Sequence, residues 1–329
     1  MVSIASSAVV LGIARIGSDA VVAQGAVLRG PGVTIGAGSA VLENCSVVGP
    51  ATIGSRTVFG HRCTVVGATI GDLCEIGNGS TILPGARLGR RVFLGERTLV
   101  PAGAVVPDDS VAVGAPFRIV RSAGADDVAR LTVLRDGDLT VPVDAGLAPI
   151  GPTFDERTAM GTLYEYRGVR PTIDPTAVLL PSAEVTGDVH IGAGSIVGAG
   201  VRIIGDSHGP VRIGAGVQIL EGTVLHLLPD NSLVVEDGVV IGPGAMIHGC
   251  HLGAGTVVEP AATVCDWAML GARCVVRAGA VVKQRSTFPD GTIVDGFPAR
   301  AVGTVGDAPE TPAWAFGPGD VDTLLEVPR

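Results

Sequence analysis

The stretch IGDLCE-IGNGST-ILPGAR-LGRRVF-LGERTL-VPAGAV, residues 70–105, carries an aliphatic residue at every sixth position, usually followed by a small one. Hexads of the same kind begin at Ile16, and they return in the second half of the chain from Ile191 as IGAGSI-VGAGVR. Apolar residues do not recur at spacings of three and four, which excludes amphipathic helices. The period therefore predicts short strands in stacked coils, each strand pointing one aliphatic side chain inward.

The composition fits a narrow, repetitive interior. The chain of 329 residues contains 49 glycines and only 3% aromatic residues, yet its mean hydropathy is +0.48. Ordinary cores use aromatic rings to fill volume, so this chain is expected to bury small aliphatic side chains instead. The longest apolar runs are too short for a membrane span. A net charge of −9 without a basic stripe argues against a nucleic-acid partner.

The hexads and their breaks divide the chain into two repeat domains, predicted over residues 1–122 and 172–303. Both domains end alike, in VAVGAPFRIVR (111–121) and IVDGFPARAVG (293–303). Both segments resemble the exit segment that closes hexapeptide-repeat domains.

Two further segments lie outside the repeats. Residues 123–171 break the period and are predicted to form a linker with a short helix at DDVARLTVLRD. Residues 304–329 form an acidic tail rich in proline and glycine, in which Trp314 and Phe316 are the expected docking anchors.

The six cysteines are scattered and include no CxxC pair; they are Cys45, Cys63, Cys74, Cys250, Cys265 and Cys274. A chain of this length has core enough without disulfides, so we expect reduced, mostly buried thiols. The opening MVSIASSAVV lacks the pattern of a secretory signal. These features together predict a cytoplasmic protein.

Two stretches of the second domain resemble the gamma-class carbonic anhydrases, which are hexapeptide-repeat proteins. They are IGAGVQILEGTVLH (213–226) and VVIGPGAMIHGCHLG (239–253), where the family reads approximately NIQDG…VH and IGH-x-A-x-x-HGC-x-IG. The resemblance runs from Asp174 to Gly303 and includes the shortened hexad at Ile247–Leu252. It implies an all-β fold of two tandem left-handed parallel β-helix domains of hexapeptide repeats with an irregular linker.

In that family, three imidazoles hold a catalytic zinc between adjacent subunits of a trimer, the middle one coming from the neighbour. On this resemblance His226 matches the first ligand and His248 the third. The middle position is Pro243, which cannot coordinate a metal. Two histidines alone cannot form the three-ligand site that a catalytic zinc requires.

Other family positions of the second domain are also altered. Asp206 and the preceding glycine of the family's Arg-Gly-Asp motif remain, but Ile204 replaces its arginine. Leu220 stands where the family has the glutamine that holds the zinc-bound oxygen. Ser207 replaces an acidic residue that often follows the motif.

The first domain departs from the family in the opposite sense. FGHRCTVVGATIGD (59–72) aligns with the same signature, so His61 matches the middle ligand, while Val48 and Val66 replace the other two. In LRGPG (28–32), Arg29 matches the arginine of the Arg-Gly-Asp motif and Pro31 replaces its aspartate.

The losses in the two domains are complementary. We therefore hypothesise one metal site shared between a first and a second domain, with His61, His226 and His248 as ligands and Asp206 and Arg29 as catalytic residues. The site forms within a chain or between chains. Zinc is the expected metal, with iron and cobalt as alternatives, because three imidazoles suit several metals. The expected reaction is metal-hydroxide hydration or hydrolysis of a small or acyl substrate, in a homo-oligomer derived from a trimer.

Two other functions remain open. A CoA-dependent acyltransferase of the hexapeptide class would use His61 or His226 as general base, and affinity for CoA would favour it. A metal-free scaffold would use the flat faces of rigid prisms for assembly. In that case the complementary losses are chance, and His61 is a solvated surface residue.

Overall fold

The computed structural model describes residues 1–135, 137, 139–142, 146–154, 160–206 and 209–325. Asp136 and Ser207, which belong to sequence motifs above, lie outside these ranges. Contacts divide the chain into two compact units: the first comprises Met1–Asp155 and Pro318–Arg329, and the second comprises Glu156–Gly317. Neither described helix has the length and apolar composition needed to cross a membrane.

The first unit is built from very short strands and two helices. The helices are α1 (Ala125–Leu134) and α2 (Asp320–Leu325). The strands, in chain order, are β1 (Ser3–Ile4), β2 (Val9–Leu11), β3 (Ala14–Ile16), β4 (Val21–Val22), β5 (Val27–Arg29), β6 (Val33–Ile35), β7 (Ala40–Val41), β8 (Ser46–Val48), β9 (Ala51–Ile53), β10 (Val58–Phe59), β11 (Thr64–Val66), β12 (Thr69–Ile70), β13 (Glu75–Ile76), β14 (Thr81–Ile82), β15 (Arg87–Leu88), β16 (Phe93–Leu94), β17 (Leu99–Val100), β18 (Val105–Val106), β19 (Ser110–Val113), β20 (Arg118–Ser122) and β21 (Ala148–Ile150).

Every third strand of this unit joins the same sheet, as a three-sided coil requires. One sheet has the order β1-β4-β7-β10-β13-β16-β19, a second β2-β5-β8-β11-β14-β17, and a third β3-β6-β9-β12-β15-β18, all with parallel neighbours. Val58 pairs with Ala40 on one side and with Glu75 on the other, so the two coils that meet at β10 take 18 and 17 residues. The predicted left-handed parallel β-helix is confirmed.

The second unit repeats this architecture with seven parallel strands in each of three sheets. Its strands are β22 (Thr162–Tyr164), β23 (Thr172–Ile173), β24 (Val178–Leu179), β25 (Glu184–Gly187), β26 (Val189–Ile191), β27 (Ile196–Val197), β28 (Arg202–Gly205), β29 (Val211–Ile213), β30 (Gln218–Ile219), β31 (Val224–Leu225), β32 (Leu233–Val235), β33 (Val240–Ile241), β34 (Met246–Ile247), β35 (His251–Leu252), β36 (Val257–Val258), β37 (Thr263–Val264), β38 (Met269–Leu270), β39 (Val275–Val276), β40 (Val281–Val282), β41 (Thr287–Phe288), β42 (Thr292–Gly296) and β43 (Ala299–Thr304).

Antiparallel hairpins follow the last coil of each unit. Strand β20 folds back on β19, and β43 folds back on β42. These are the two similar exit segments of the sequence. Each hairpin covers the open edge of one sheet, and an uncovered edge would expose unpaired backbone donors and acceptors.

The hexad's first residue forms the core of each unit. In the third sheet of the first unit, Ile53, Ile70 and Leu88 stack on one another in register and are almost fully buried. The following small residue is required by the corner between strands. A Cβ added to Gly54 would lie 2.5 Å from the carbonyl carbon of Gly71 in the next coil, so larger side chains are excluded there.

Buried hydroxyl and thiol groups satisfy the backbone at the corners. Thr57 Oγ1 donates to the Gly71 carbonyl at 2.8 Å and accepts the Cys74 N–H at 3.0 Å. Equivalent side chains donate to a corner carbonyl in both units: Ser39, Cys45, Cys63, Cys74, Ser80, Ser195, Thr223, Thr256 and Cys274. We call this set the corner ladder. It supplies partners to peptide groups that the short strands leave unpaired.

The cysteines behave as predicted. All six are free, and all except Cys265 are buried. Four belong to the corner ladder, where sulfur takes the place of a hydroxyl oxygen. Burial raises the pKa of the Cys74 thiol to about 12, which keeps it protonated and able to donate.

The tail of the second unit is docked at the predicted anchors. Trp314 and Phe316 are buried. The Gln218 side-chain amide donates to the Phe316 carbonyl at 2.9 Å, and the Phe316 N–H donates to Gln218 Oε1 at 2.7 Å. One side chain therefore pairs with the tail as a neighbouring strand would.

Replacing Thr57 by valine should destabilise the first unit without changing side-chain shape. The substitution leaves the buried Cys74 N–H and Gly71 carbonyl without their partner, at an expected cost of about 1–3 kcal/mol in the free energy of unfolding. Urea denaturation measures this cost, and amide exchange at Cys74 should accelerate. Thr52→Val, on an exposed face of β9, is the control. Equal shifts in both variants would contradict the ladder's role.

Gln218→Ala should release the tail. Two hydrogen bonds worth about 0.5–1.5 kcal/mol each are lost, so chymotryptic cleavage beside Trp314 and Phe316 should accelerate about tenfold. Mass spectrometry of timed digests locates the cuts. Arg202→Ala, which removes only an exposed ion pair with Glu184, should leave the cleavage rate unchanged. A resistant tail in Gln218→Ala would mean that the aromatic anchors suffice.

Candidate metal centre

Two of the predicted ligands lie side by side in the second unit. His226 follows β31 and His248 follows β34, and these strands pair with Leu225 opposite Ile247. The His226 N–H donates to the Ile247 carbonyl at 3.0 Å. Because adjacent strands of a sheet lie roughly 4.8 Å apart, the two imidazoles are neighbours in one column. Their side chains are 33% and 32% exposed, respectively.

Asp206 lies next to this pair. It follows β28, which is the strand before β31 in the same sheet. Its Oδ2 is 3.8 Å from Nε2 of His226. The carboxylate of the predicted catalytic residue is thus within electrostatic reach of a predicted ligand.

The residues that replace family positions lie close in sequence to Asp206, His226 and His248. Ile204 lies in the column of His226, one coil earlier, and is half-buried. Leu220 is fully buried, and Pro243 is buried at the corner between β33 and β34. None of the three has a side chain able to bind a metal.

The sequence analysis missed Asp266, whose side chain is only 5% exposed. Its Oδ2 is 3.6 Å from Nδ1 of His248. The only sequence signal was its position: Asp266 directly follows the residue that takes the place of His248 in the next coil. Polar residues are common at this position of the hexad, so that signal could not separate a buried carboxylate from a solvated one.

The predicted residues of the first unit occupy different settings. His61 lies at a corner after β10 with 55% of its side chain exposed, and its Nδ1 is 2.8 Å from Glu43 Oε2. Its N–H donates to Asn78 Oδ1 at 2.6 Å. Arg29 ends β5 and is only 5% exposed. His61 therefore has a carboxylate partner from the preceding coil.

Another histidine of the second unit is paired with an acid. His251 Nε2 lies 2.7 Å from Glu236 Oε1, while Glu236 Oε2 accepts the Ala254 N–H. The His251 imidazole and that N–H hold the pKa of the Glu236 carboxyl below its usual value. His251 is therefore tied to the surface of its sheet.

Across the part of the chain that the structure describes, no group of three or more His, Cys, Asp or Glu side chains is arranged to hold a metal ion. Within the second unit the structure brings together two imidazoles and, beside them, two carboxylates. These two imidazoles are one fewer than the three that the sequence analysis expects at a metal site.

Comparison with known proteins places the chain among hexapeptide-repeat proteins. Residues 50–84 match the model described as "Hexapeptide repeat of succinyl-transferase". The carnitine operon protein CaiE of Escherichia coli is 35% identical over 144 residues, which cover 44% of this chain and 73% of CaiE. The mitochondrial gamma carbonic anhydrase 1 of Arabidopsis thaliana is 34% identical over 145 residues, covering 42% of this chain and 52% of that protein.

Solved structures with the same repeat are also similar. The crystal structure of a hexapeptide transferase family protein from Anaplasma phagocytophilum has 26% identity and a TM-score of 0.42, covering 50% of this chain and 89% of that one.

Gly249→Ala tests how tightly the region around His248 is packed. A Cβ at this position would lie 2.2 Å from Asn231 Nδ2 and 3.0 Å from Leu227 Cβ, so the segment after His226 must move. We expect the free energy of unfolding to fall by about 1–3 kcal/mol and amide exchange over residues 227–232 to accelerate. Thermal unfolding and exchange measure both effects. Gly306→Ala, where the added Cβ meets open space, should change neither.

Proposed function

The chain belongs to the gamma-carbonic-anhydrase-like family of left-handed β-helix proteins built from hexapeptide repeats, and from this premise we propose that it is a metal-dependent enzyme of hydration or hydrolysis. The proposed metal site takes His226 and His248 from a second unit and His61 from a first unit. The substrate is a small or acyl compound. The observation that carries the proposal is the pair of adjacent imidazoles in one column.

The donor set of the second unit fits two of the three positions of a catalytic zinc site. Both imidazoles are partly exposed, so each can reach a metal at the surface of its prism. A carboxylate beside a ligating histidine is the usual outer support of such sites, and Asp266 occupies that place for His248. Pro243 leaves the third position empty within this unit, which is why a first unit must supply His61.

Each residue has a distinct part in the proposal. A zinc ion held by three imidazoles supplies Lewis acidity, the chemistry that hydration and hydrolysis need. Asp206, 3.8 Å from His226, orients that imidazole and accepts a hydrogen bond from a substrate or water. Arg29 pairs with Asp206 across the same interface, as the corresponding residues do in the family. To bind the metal, His61 gives up its contact with Glu43.

Metal analysis of the full-length, chelator-free protein tests this proposal. We expect one zinc, iron or cobalt ion per chain in the wild type and its loss in both His61→Ala and His226→Ala, because two imidazoles hold the metal too weakly. Carbon dioxide hydration and ester hydrolysis should disappear with the metal. His190→Ala, an exposed histidine on another sheet of the second unit, is the matched control and should retain both.

The result that overturns the proposal is equally direct. A wild-type protein that takes up none of the three metals on reconstitution, or a His61→Ala variant that keeps its metal, excludes a site shared between the two kinds of unit. Analytical ultracentrifugation of the same samples reports the oligomer that the shared site requires.

A further inference from the structure

Asp266 is a carboxylate in an unusually buried position. It follows β37, and its side chain is 5% exposed. A charged carboxylate is costly to bury unless hydrogen bonds replace the water that it loses. The partners of its two oxygens therefore show what the residue does.

One of the two carboxylate oxygens accepts hydrogen bonds from the backbone and from the loop around it. Asp266 Oδ1 accepts the Leu228 N–H at 3.1 Å, the Gly249 N–H at 3.1 Å and the Asn231 side-chain amide at 3.2 Å. Three donors fill the accepting capacity of one carboxylate oxygen. They also fix the orientation of the carboxyl group, so that Oδ2 has a defined direction.

The second oxygen faces the imidazole of His248. The distance of 3.6 Å between Oδ2 and Nδ1 is longer than a hydrogen bond, so the interaction is electrostatic. A neutral imidazole carries its proton on either ring nitrogen. With the proton on Nδ1, an N–H dipole points at the carboxylate. With the proton on Nε2, the Nδ1 lone pair faces a negative oxygen, which is unfavourable in a partly buried site.

We propose that Asp266 is a positioning residue that keeps His248 in the Nδ1–H tautomer and thereby presents the lone pair of Nε2 outward. An Nε2 lone pair is what a metal or a proton donor on the surface of the column needs. The tautomer is a property of this chain alone, whereas its use in holding a metal rests on the proposed function.

The isosteric variant Asp266→Asn separates positioning from architecture. Its side-chain oxygen should face the three donors that now bind Oδ1, because two of them are backbone N–H groups, which can only donate. Its NH₂ group then takes the place of Oδ2 and faces Nδ1 of His248. A donor in that place favours a lone pair on Nδ1, so the substitution should reverse the tautomer rather than merely weaken it.

The experiment is ¹⁵N NMR of the metal-free, full-length protein labelled at histidine, at a pH where the imidazoles are neutral. Long-range ¹H–¹⁵N spectra distinguish protonated from unprotonated ring nitrogens. We expect His248 to be mainly Nδ1–H in the wild type and mainly Nε2–H in Asp266→Asn, while His226 keeps its wild-type pattern. His248→Gln identifies the signals of His248 by their loss.

Controls separate this effect from a general disturbance. Amide shifts of Leu228 and Gly249 report whether the three donors remain in place in Asp266→Asn. Glu236→Gln removes the carboxylate from His251 and should leave His248 unchanged. If Asp266→Asn keeps these amides and His248 remains Nδ1–H, or if the wild type is already Nε2–H, the proposal is wrong. If the amides move, the smaller variant Asp266→Ala must still lower the Nδ1–H fraction.

Metal affinity provides a second readout. If the proposed function is correct, zinc affinity should fall about 10- to 100-fold in Asp266→Asn. A tautomer that reverses in a protein that binds no metal upholds the positioning role and rejects the proposed function. A tautomer that does not reverse rejects the positioning role whatever the metal content.

Discussion

The structure depends on one constraint: each short strand must form its backbone hydrogen bonds with the coil above and the coil below. Strands of two to four residues have almost no stability alone. Stacking aligns equivalent positions of successive coils, so one aliphatic residue in six is enough to make a continuous core. The same alignment forces small residues at the corners, because the backbone of the adjacent coil lies too close to leave van der Waals space for a Cβ atom, as at Gly54.

At the corners the stacked strands leave some backbone groups unpaired, and buried polar side chains provide the missing hydrogen-bond partners. A strand of two residues leaves peptide groups at each turn without a sheet partner. Thr57 supplies both a donor and an acceptor at such a point, and every other member of the corner ladder donates to a corner carbonyl. This accounts for four of the six cysteines as well. The sulfur atoms of Cys45, Cys63, Cys74 and Cys274 occupy ladder positions, where each takes the place of a hydroxyl oxygen.

Alignment also creates the candidate metal centre. Residues that lie one coil apart in sequence become neighbours in a column, so His226 and His248 meet although 22 positions separate them. The buried carboxylate of Asp266 comes from the next coil and reaches the same place. The proposed function takes these two imidazoles as two of its three metal ligands, with the carboxylate of Asp266 beside one of them. His61 and His251 instead pair with glutamates of the preceding coil, Glu43 and Glu236.

The sequence by itself determined the coil architecture, the two repeat units, the two similar exit segments and the anchors of the tail. Each of these follows from local residue type and from the period of the hexads, and both can be read directly from the sequence. The alignment of His226 with His248 was also within reach, because a repeat of known phase assigns positions to columns. Only the tertiary structure decided which polar residues are buried. Asp266 and an exposed aspartate at another corner look alike in sequence, because burial depends on what neighbouring coils and the segment after His226 place around the side chain. Likewise, the docking of Phe316 against Gln218 joins residues 98 positions apart outside the repeat, where no period connects them.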